Sequence, residues 1–357
     1  MKQEVVILSD DAEYDWVRFF ARQVEQELIR REIEVLPVDL KKPDAIDKLN
    51  CINNVTEEPI FVLTFEGAGF LIPSIITGMN WIDLLKNRVY AFFSQHPCYY
   101  GKQLAAAKSW NISLLCTERN AVEYINRYYI QYEGVSAVVP PAFLGKNAEK
   151  PWKEREIEIL LPATYRKEEQ WPEVPAALGL SPGNKELLQW NQNYSRYYDC
   201  LQNIMTEKIV RNLLRTGCDV TVYGEGWEEF EPAEEEKGRL HSIGGQAGFR
   251  FEELLDIMGN SKIILQNQIR HPEGLTMVFM CAMANGAAVL ADRHPILEES
   301  FGDEALLFYD NEKLDVASVR DAALGPDADK LQAIAEKGKA KAQRMGDFQA
   351  FVQSMLP

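Results

Sequence analysis

The chain has 357 residues, of which 46% are hydrophobic and 26% are charged, and its formal net charge is −16. This length allows two domains with substantial cores, and the composition is that of a globular protein. The acidic balance argues against a nucleic-acid-binding or anionic-membrane-binding surface, because binding phosphates over a large area needs clustered Lys and Arg.

The cysteines and the N-terminus bound the cellular context. Six cysteines are scattered without a CxxC pair, which indicates reduced thiols rather than a disulfide framework or a zinc site. The N-terminus lacks the basic start and apolar core of a signal peptide. No apolar run approaches the roughly 18 uninterrupted residues of a transmembrane helix. We therefore expect a cytoplasmic protein with no transmembrane segment.

Strand-like apolar runs alternate with helical patterns through the first half of the chain. Strands are predicted at residues 4–9, 33–39, 59–65, 89–93, 112–116 and 135–139, with Pro37 placing the second strand at a sheet edge. Helices are predicted at residues 14–31, 81–86, 101–110 and 118–129. This alternation predicts a mostly parallel sheet covered by helices, a Rossmann-like domain over residues 1–145.

Two strand ends in this domain carry candidate ligand contacts. Gly67-Ala68-Gly69 follows the third strand but lacks the full dinucleotide fingerprint, so both a tight turn and a ligand contact stay open. His96 follows the fourth strand and precedes Pro97. A histidine there suits a general base or a hydroxyl-binding group, and equally a hydrogen-bonded structural residue.

The second half repeats the α/β pattern after a polar segment at residues 145–155. A second domain is predicted over residues 156–345, with strands at 157–161, 219–223, 240–243, 263–268, 287–290 and 305–309. The long connection from residue 163 to 185 is predicted to be functional or to hold a short helix. In the helix that follows, Trp190, Tyr194 and Tyr197 form either an aromatic wall for a ligand or part of the core. We expect the C-terminal helix, residues 346–357, to pack back toward the N-terminal domain.

Residues 263–292 form the most informative stretch. They predict a buried strand, a polar loop, a helix at 276–285 and a second buried strand, with Gly286 as the helix C-terminal glycine. A parallel βαβ unit places the helix N-terminus beside the carboxyl ends of the strands, where it attracts anions. The stretch therefore predicts an anion-binding site.

The order of four segments carries a resemblance to a known family. These segments are VYGEGW, FEELLDIMGNSKIILQNQ, HPEGLTMVFMCAMANGAAVLAD and ILEESFGDEALLFYD. Together, over residues 223–310, they resemble the donor domain of GT-B glycosyltransferases, in particular the "glycosyl transferases group 1" and spore-maturation-type enzymes. The resemblance implies an α/β protein of GT-B fold, with two Rossmann-like domains facing a central cleft. The N-terminal domain would then receive the acceptor and the C-terminal domain the nucleotide-sugar donor.

The family pattern places a first Glu, seven intervening residues, and a second Glu before Ala-Met-Ala-x-Gly. Glu273 stands at the first position, and the resemblance implies that it faces the donor sugar as a catalytic residue. Cys281 stands at the second position, where the family's Glu typically binds the nucleotide ribose. A cysteine side chain forms only weak hydrogen bonds and is commonly a small buried residue.

Further donor-binding residues follow from the same resemblance. The backbone N–H groups at the start of the helix are expected to donate hydrogen bonds to the diphosphate of the donor. Basic side chains from nearby loops are expected to pair with its phosphate oxygens. The turn at residues 244–249 is expected to face the base. The predicted donor-binding residues are Gly274, Leu275, Thr276, Arg166, Lys167, Arg270, Gly224, Gly245 and Cys281.

The resemblance implies glycosyl transfer from a nucleotide-sugar with retention of configuration. No DxD pair follows a strand, which agrees with a reaction that needs no metal or other cofactor. A donor phosphate oxygen would help deprotonate the acceptor, and His96 would position the acceptor or assist. The acceptor stays open among a glycan, a lipid-linked glycan, a protein and a small molecule, and no nucleic-acid partner is expected.

Two alternatives use the same fold. Cys281 favours a GT-B-like binding or partner protein that has lost catalysis. A sugar-phosphate or nucleotide-sugar epimerase is the other, but the sequence offers no paired acid and base to favour it.

Overall fold

The structure of the chain is a computed structural model. It describes residues 4–10, 15–54, 60–74, 78–147, 149–168, 170–179, 181–243, 250–310, 321 and 324–356. The predicted turn at residues 244–249, including Gly245, lies outside these ranges.

The first half folds into a sheet of six parallel strands. They are β1 (Glu4–Ser9), β2 (Glu34–Asp39), β3 (Phe61–Phe65), β4 (Arg88–Phe93), β5 (Ile112–Cys116) and β6 (Gly134–Ala137). Their order is β2-β1-β3-β4-β5-β6. The six predicted strands are confirmed, and so is the edge position of β2, where Pro37 removes one backbone donor.

The helices of this half are α1 (Trp16–Arg30), α2 (Ala45–Asn54), α3 (Gly101–Ala106) and α4 (Arg119–Tyr128). Helix α2 was not predicted, because its Asn residues have low helix propensity. Ala45, Leu49 and Ile52 nevertheless bury one face of it at helical spacing. The helix predicted at residues 81–86 is wrong, since Trp81–Leu84 forms only a 3-10 turn.

The second half contains another sheet of six parallel strands. They are β7 (Ile157–Pro162), β8 (Val220–Tyr223), β9 (Leu240–Ile243), β10 (Ser261–Gln266), β11 (Ala288–Asp292) and β12 (Leu307–Tyr309). The helices are α5 (Asn184–Arg215), α6 (Phe251–Met258), α7 (Met277–Ala284), α8 (Pro295–Ser300), α9 (Ala328–Met345) and α10 (Phe348–Met355). None of the described helices is long and apolar enough to cross a membrane. The two predicted Rossmann-like sheets are thus confirmed.

The strand order of the second sheet, β12-β11-β10-β7-β8-β9, defines a switch point. The chain adds β8 and β9 on one side of β7, then returns to add β10, β11 and β12 on the other. In open parallel sheets, ligands bind beyond the carboxyl ends of the strands where the order reverses. The loops after β7 and β10 are therefore the first places to look for a ligand site.

The chain divides into two compact units. The first comprises residues 1–138, 175–195 and 349–357, and the second comprises residues 139–174 and 196–348. Helix α5 contributes residues to both units. In the first unit, Phe351 of α10 packs against Phe20 and Phe92 at ring-centroid distances of 5.5 and 5.9 Å.

The described residues of the polar segment 145–155 pack within the second unit. The Gly145 N–H donates to Asn285 Oδ1 at 2.9 Å. The Arg155 side chain is buried, and its Nη1 donates to the carbonyls of Ser261 and Gly286 at 2.7 and 2.6 Å. Gly286 has φ +76°, the left-handed conformation expected of a helix C-terminal glycine.

Candidate functional site

The loop after β10, residues 267–276, is fixed to the neighbouring strand. Its Gln268 N–H donates to Oδ1 of Asp292 at 2.7 Å, and Asp292 is fully buried at the end of β11. The His271 N–H then donates to the Gln268 carbonyl at 2.7 Å and closes a turn. The loop therefore leaves the sheet in a defined direction, at the switch point between β7 and β10.

The loop ends at the N-terminus of α7. Thr276 caps this helix, because its hydroxyl oxygen accepts from the Phe279 N–H at 3.1 Å. Glu273 is exposed, whereas Gly274 and Leu275 are buried. The Gly274 N–H donates to the His271 carbonyl at 3.2 Å, and its predicted contact with a diphosphate stays a prediction. The N–H groups of Leu275 and Thr276 donate to no other described residue.

Unpartnered polar atoms concentrate beside the start of this loop. Among the buried side-chain atoms that find no hydrogen-bond partner in the described residues, four lie here: Gln202 Oε1, Asn267 Nδ2, Gln268 Oε1 and Arg270 Nε. Buried polar groups are normally satisfied, and leaving one unsatisfied is costly. The region between the loop and α5 thus has capacity for further hydrogen bonds.

Arg270, predicted as a phosphate ligand, already has a carboxylate partner. Its Nη2 lies 2.6 Å from Asp199 Oδ1 on α5, and its side chain is 29% exposed. The positive charge of Arg270 is therefore already balanced by a carboxylate of the same unit, while its Nε–H can still donate a hydrogen bond.

The predicted cations Arg166 and Lys167 follow β7 and are exposed. Lys167 Nζ lies 3.7 Å from Glu231 Oε1, and Arg166 pairs with no other described residue. The segment that carries them is tied to the end of β8 through two hydrogen bonds, Ala163 N–H to the Tyr223 carbonyl and Tyr165 N–H to the Glu225 carbonyl. Both side chains thus start from a fixed backbone at the switch point.

Gly224 makes that close approach of backbones achievable. Its φ is +154°, and a Cβ at this position would lie 2.2 Å from the Ala163 carbonyl oxygen. The same carbonyl accepts from Trp227 Nε1 at 2.6 Å. Packing therefore explains this glycine, and its contact with a donor stays a prediction.

Comparisons with known proteins bear on the fold. A family model described as glycosyl transferase-like matches residues 202–356. The sucrose-phosphate synthase of Thermosynechococcus elongatus superposes with a TM-score of 0.64 at 12% identity, over 99% of this chain and 97% of the other. An α-glucosyltransferase bound to UDP and a 13-mer DNA gives 0.57 at 11% identity, over 99% and 98%. The chain matches no curated protein sequence.

A third solved structure, named for trehalose-6-phosphate from E. coli and bound with UDP-2-fluoro glucose, gives a TM-score of 0.51 at 9% identity over 99% of each chain. This chain has the GT-B fold of these glycosyltransferases. The predicted resemblance is confirmed, and so is the α/β fold class with two parallel-sheet domains. The expectation of no nucleic-acid partner gains no support, because one neighbour of the same fold holds DNA.

Cys281 departs from the glycosyltransferase pattern in its surroundings as well as its chemistry. The residue is fully buried in α7, and its Sγ accepts from the Phe143 N–H at 3.2 Å. Burial raises the pKa of this thiol to about 12, so it is uncharged at neutral pH. The geometry gives Cys281 a packing role, and contact with a nucleotide stays a prediction.

His96 lies in the first unit and is buried, with 7% exposure. Its Nδ1 accepts from the Cys98 N–H at 3.3 Å, and its ring packs 5.1 Å from Tyr124 and 5.6 Å from Tyr194. Burial lowers the pKa of His96 to about 4, so the imidazole is neutral at pH 7. Such a ring is a weak base at neutral pH and better suited to positioning other groups.

The aromatic residues of α5 divide between the two units. Trp190 stacks on Tyr194 at 4.4 Å and on Tyr124 at 6.0 Å within the first unit. Tyr197 belongs to the second unit and packs against Tyr198. The aromatic side chains of α5 therefore pack against neighbouring aromatic rings, as one of the two predicted alternatives has it.

Sequence reasoning overlooked two buried carboxylates at strand ends, Glu66 after β3 and Asp292 at the end of β11. The available signal was an acidic residue directly after a run of strand length that is mostly apolar. An acid at such a position ends a buried strand at the edge where ligands bind.

Proposed function

We propose that this protein transfers a sugar from a nucleotide-sugar to an acceptor hydroxyl, with the donor held beyond β7 and β10. One observation carries the proposal. The loop at residues 267–276 brings an exposed Glu273 and the capped N-terminus of α7 to the switch point of a domain that matches a glycosyl transferase-like family. The UDP-bound neighbours support a nucleotide-sugar as the donor.

The roles follow from charge and position. Glu273 accepts hydrogen bonds from donor-sugar hydroxyls. The N–H groups of Leu275 and Thr276, with the positive end of α7, stabilise the diphosphate as negative charge develops on it. Arg166 and Lys167 add cationic side chains from the end of β7. No metal is assigned a role in this scheme.

We propose a retaining reaction. The bond between the anomeric carbon and the diphosphate oxygen breaks, and the acceptor oxygen bonds to that carbon on the same face. The acceptor proton passes to an oxygen of the leaving diphosphate. The protein supplies orientation and electrostatic stabilisation, and no covalent intermediate with a side chain is needed.

A second candidate is a binding protein of the same fold without transferase activity. The burial of Cys281 favours it, because the family's ribose-binding carboxylate has no counterpart at that position. Such a protein would bind a nucleotide or glycan without turnover.

A donor panel tests the two candidates. The purified chain is incubated with UDP-, GDP-, TDP- and ADP-sugars, and both thermal shift and nucleotide release are measured. Transfer predicts a shift and slow release with at least one donor. Glu273→Gln should lower release at least about tenfold while nucleotide affinity holds, because a sugar contact is lost.

Glu336→Gln is the matched control, since Glu336 is exposed on α9 and, among the described residues, accepts only from Gln332 in the same helix. Normal release by Glu273→Gln would refute the assignment of that residue. A thermal shift without release by any donor would favour the binding protein.

A further inference from the structure

The first sheet has a switch point of its own. In the order β2-β1-β3-β4-β5-β6, the chain places β2 on one side of β1 and returns to place β3 on the other. The crevice between the carboxyl ends of β1 and β3 is the position at which parallel sheets bind ligands. This crevice belongs to the first unit alone.

A pocket of about 370 Å³ occupies that crevice. Its volume falls within the roughly 300–1,000 Å³ of typical small-molecule sites. The polar side chains on its wall are Asp10, Glu66, Tyr100 and Gln103. The apolar part of the wall is formed by Val17, Leu40, Phe65, Ala68, Leu71 and Ile72.

Glu66 is held in this wall by an uncommon backbone conformation. Its φ is +54°, in the left-handed region that residues with a Cβ rarely adopt. The following turn contains Gly67 and Gly69, with φ +70° and +87°, and Thr64 secures it by donating to the Ala68 carbonyl at 2.6 Å. Strained residues of this kind persist at ligand sites, where the surrounding structure imposes them.

The Glu66 carboxyl group is half satisfied. Its Oε1 accepts from the Ser94 N–H at 2.9 Å and from the Ser94 hydroxyl. Its Oε2 is buried and has no hydrogen-bond partner among the described residues. The side chain is therefore anchored through Oε1, whereas Oε2 keeps acceptor capacity beside the pocket, with the Tyr100 hydroxyl of the same wall near the carboxyl group. A residue that is only 8% exposed offers that oxygen to a bound ligand better than to bulk water.

The charge of the wall restricts the ligand. Asp10 and Glu66 are acidic, and no Lys, Arg or His is among the described residues that line the pocket. A phosphate or carboxylate would meet like charge there without a cation to pair with. A polyhydroxylated neutral ligand would instead donate hydroxyl protons to the carboxylates and lay its apolar face on the aliphatic wall.

We propose that this pocket binds an uncharged saccharide as the acceptor, with Glu66 accepting a hydrogen bond from a sugar hydroxyl. The proposal rests on the glycosyl transfer proposed above and restricts its acceptor class. Phosphorylated sugars are disfavoured in the pocket by the acidic Asp10, and by Glu66 as well above pH 7, because burial raises the pKa of Glu66 to about 7.

Saturation-transfer NMR with matched sugars tests the pocket without any donor. The probes are neutral hexoses and disaccharides and their 6-phosphate counterparts. We expect signal from at least one neutral sugar and at least about tenfold weaker binding of its phosphate. Glu66→Gln should weaken neutral-sugar binding about tenfold, because an amide accepts a hydroxyl proton less strongly than a carboxylate does.

A blocking variant and a control make the test independent of Glu66 alone. Leu71→Trp fills the pocket from a half-exposed position and should abolish sugar binding, whereas Ile130→Trp, at an 82% exposed site in the same unit, should not. No signal from any neutral sugar, stronger binding of a 6-phosphate, or unchanged binding in both pocket variants would overturn the proposal.

Nucleotide release in the same variants separates this proposal from the first. Glu66→Gln should leave acceptor-independent release from the nucleotide-sugar donor unchanged. Sugar binding without any donor recognition would refute the proposed transfer and keep the saccharide pocket. Donor turnover with no saccharide bound would do the reverse.

Discussion

The backbone N–H of Phe143 donates a hydrogen bond to Sγ of Cys281 across 3.2 Å. Two further bonds join the same segments, since Asn285 Nδ2 donates to the Phe143 carbonyl and Gly145 N–H donates to Asn285 Oδ1, each at 2.9 Å. The carboxyl-terminal half of α7 is thereby fastened to residues 143–145. The amino-terminal end of the same helix carries Thr276, so this fastening also holds the proposed diphosphate site in place.

Restoring the family's carboxylate should therefore fail. Cys281→Glu would bury a charged group in a space that fits a thiol, and we expect a loss of about 3 kcal/mol or more in unfolding free energy with no gain in nucleotide affinity. Cys281→Ser, which keeps size and polarity close, should cost far less. Denaturant unfolding and nucleotide titration measure both effects. Tighter nucleotide binding by Cys281→Glu at unchanged stability would show that the position faces the nucleotide.

The strands were predictable because buried parallel strands are continuous apolar runs bounded by turn residues. Residues 112–116 match β5 at both ends, and β10 starts two residues earlier than predicted because Ser261 pairs with Ile157 in the register. Gly286 was predictable for the same local reason, since its φ follows from the end of a helix.

The features that escaped prediction depend on contacts between distant residues. Arg155 stands in a polar run and is nevertheless buried, because it pairs with the Ser261 and Gly286 carbonyls. The Gly274 N–H is engaged in a turn whose geometry the sequence does not encode locally. Glu66 became significant only once the strand order placed it beside Asp10. Periodicity reports which face is buried, and it does not report which partner covers it.

The helix cap at Thr276 offers a second test. Thr276→Val keeps the shape and removes the oxygen that accepts from the Phe279 N–H, so we expect a loss of about 1 kcal/mol in unfolding free energy. Nucleotide affinity should fall with it, because the start of α7 frays. Thr276→Ser keeps the oxygen and should match the parent in both urea unfolding and nucleotide titration. Equal stability and equal nucleotide affinity of the two variants would show that the Thr276 cap does not contribute to nucleotide binding.

Two glycine-to-alanine variants test the close contact between the backbone segments that follow β7 and β8. Gly224→Ala puts a Cβ within 2.2 Å of the Ala163 carbonyl oxygen, so the backbone that carries Arg166 must move. Gly238→Ala also has positive φ, +85°, but its Cβ would meet no atom within 4 Å. The unfolding free energy of the control should fall only by the cost of backbone strain at a residue with a Cβ, about 1–2 kcal/mol. We expect Gly224→Ala to lose more than this, with weaker donor binding in a titration. Similar melting temperatures for the two variants would contradict the packing argument.

Glu66 and His96 predict opposite pH dependences in the first unit. Burial raises the pKa of Glu66 from 4.5 to about 7, although Ser94 and Tyr100 oppose the rise. The folded state therefore binds more protons than the unfolded state between these values, and the contribution of Glu66 to stability falls as pH rises through that window. Burial lowers the pKa of His96 from 6.5 to about 4, so the unfolded state binds more protons there and stability rises with pH.

The Glu66→Gln variant isolates one of these effects, because His96 is present in both proteins and its contribution cancels in the difference. The stability of the variant relative to the parent should increase from pH 4.5 to 7 and then level off. The full change is about 3 kcal/mol for a pKa difference of this size. Urea unfolding at several pH values between 4 and 8 measures it. A difference that stays flat across this range would mean that the Glu66 carboxyl ionises in the folded protein as easily as in the unfolded chain.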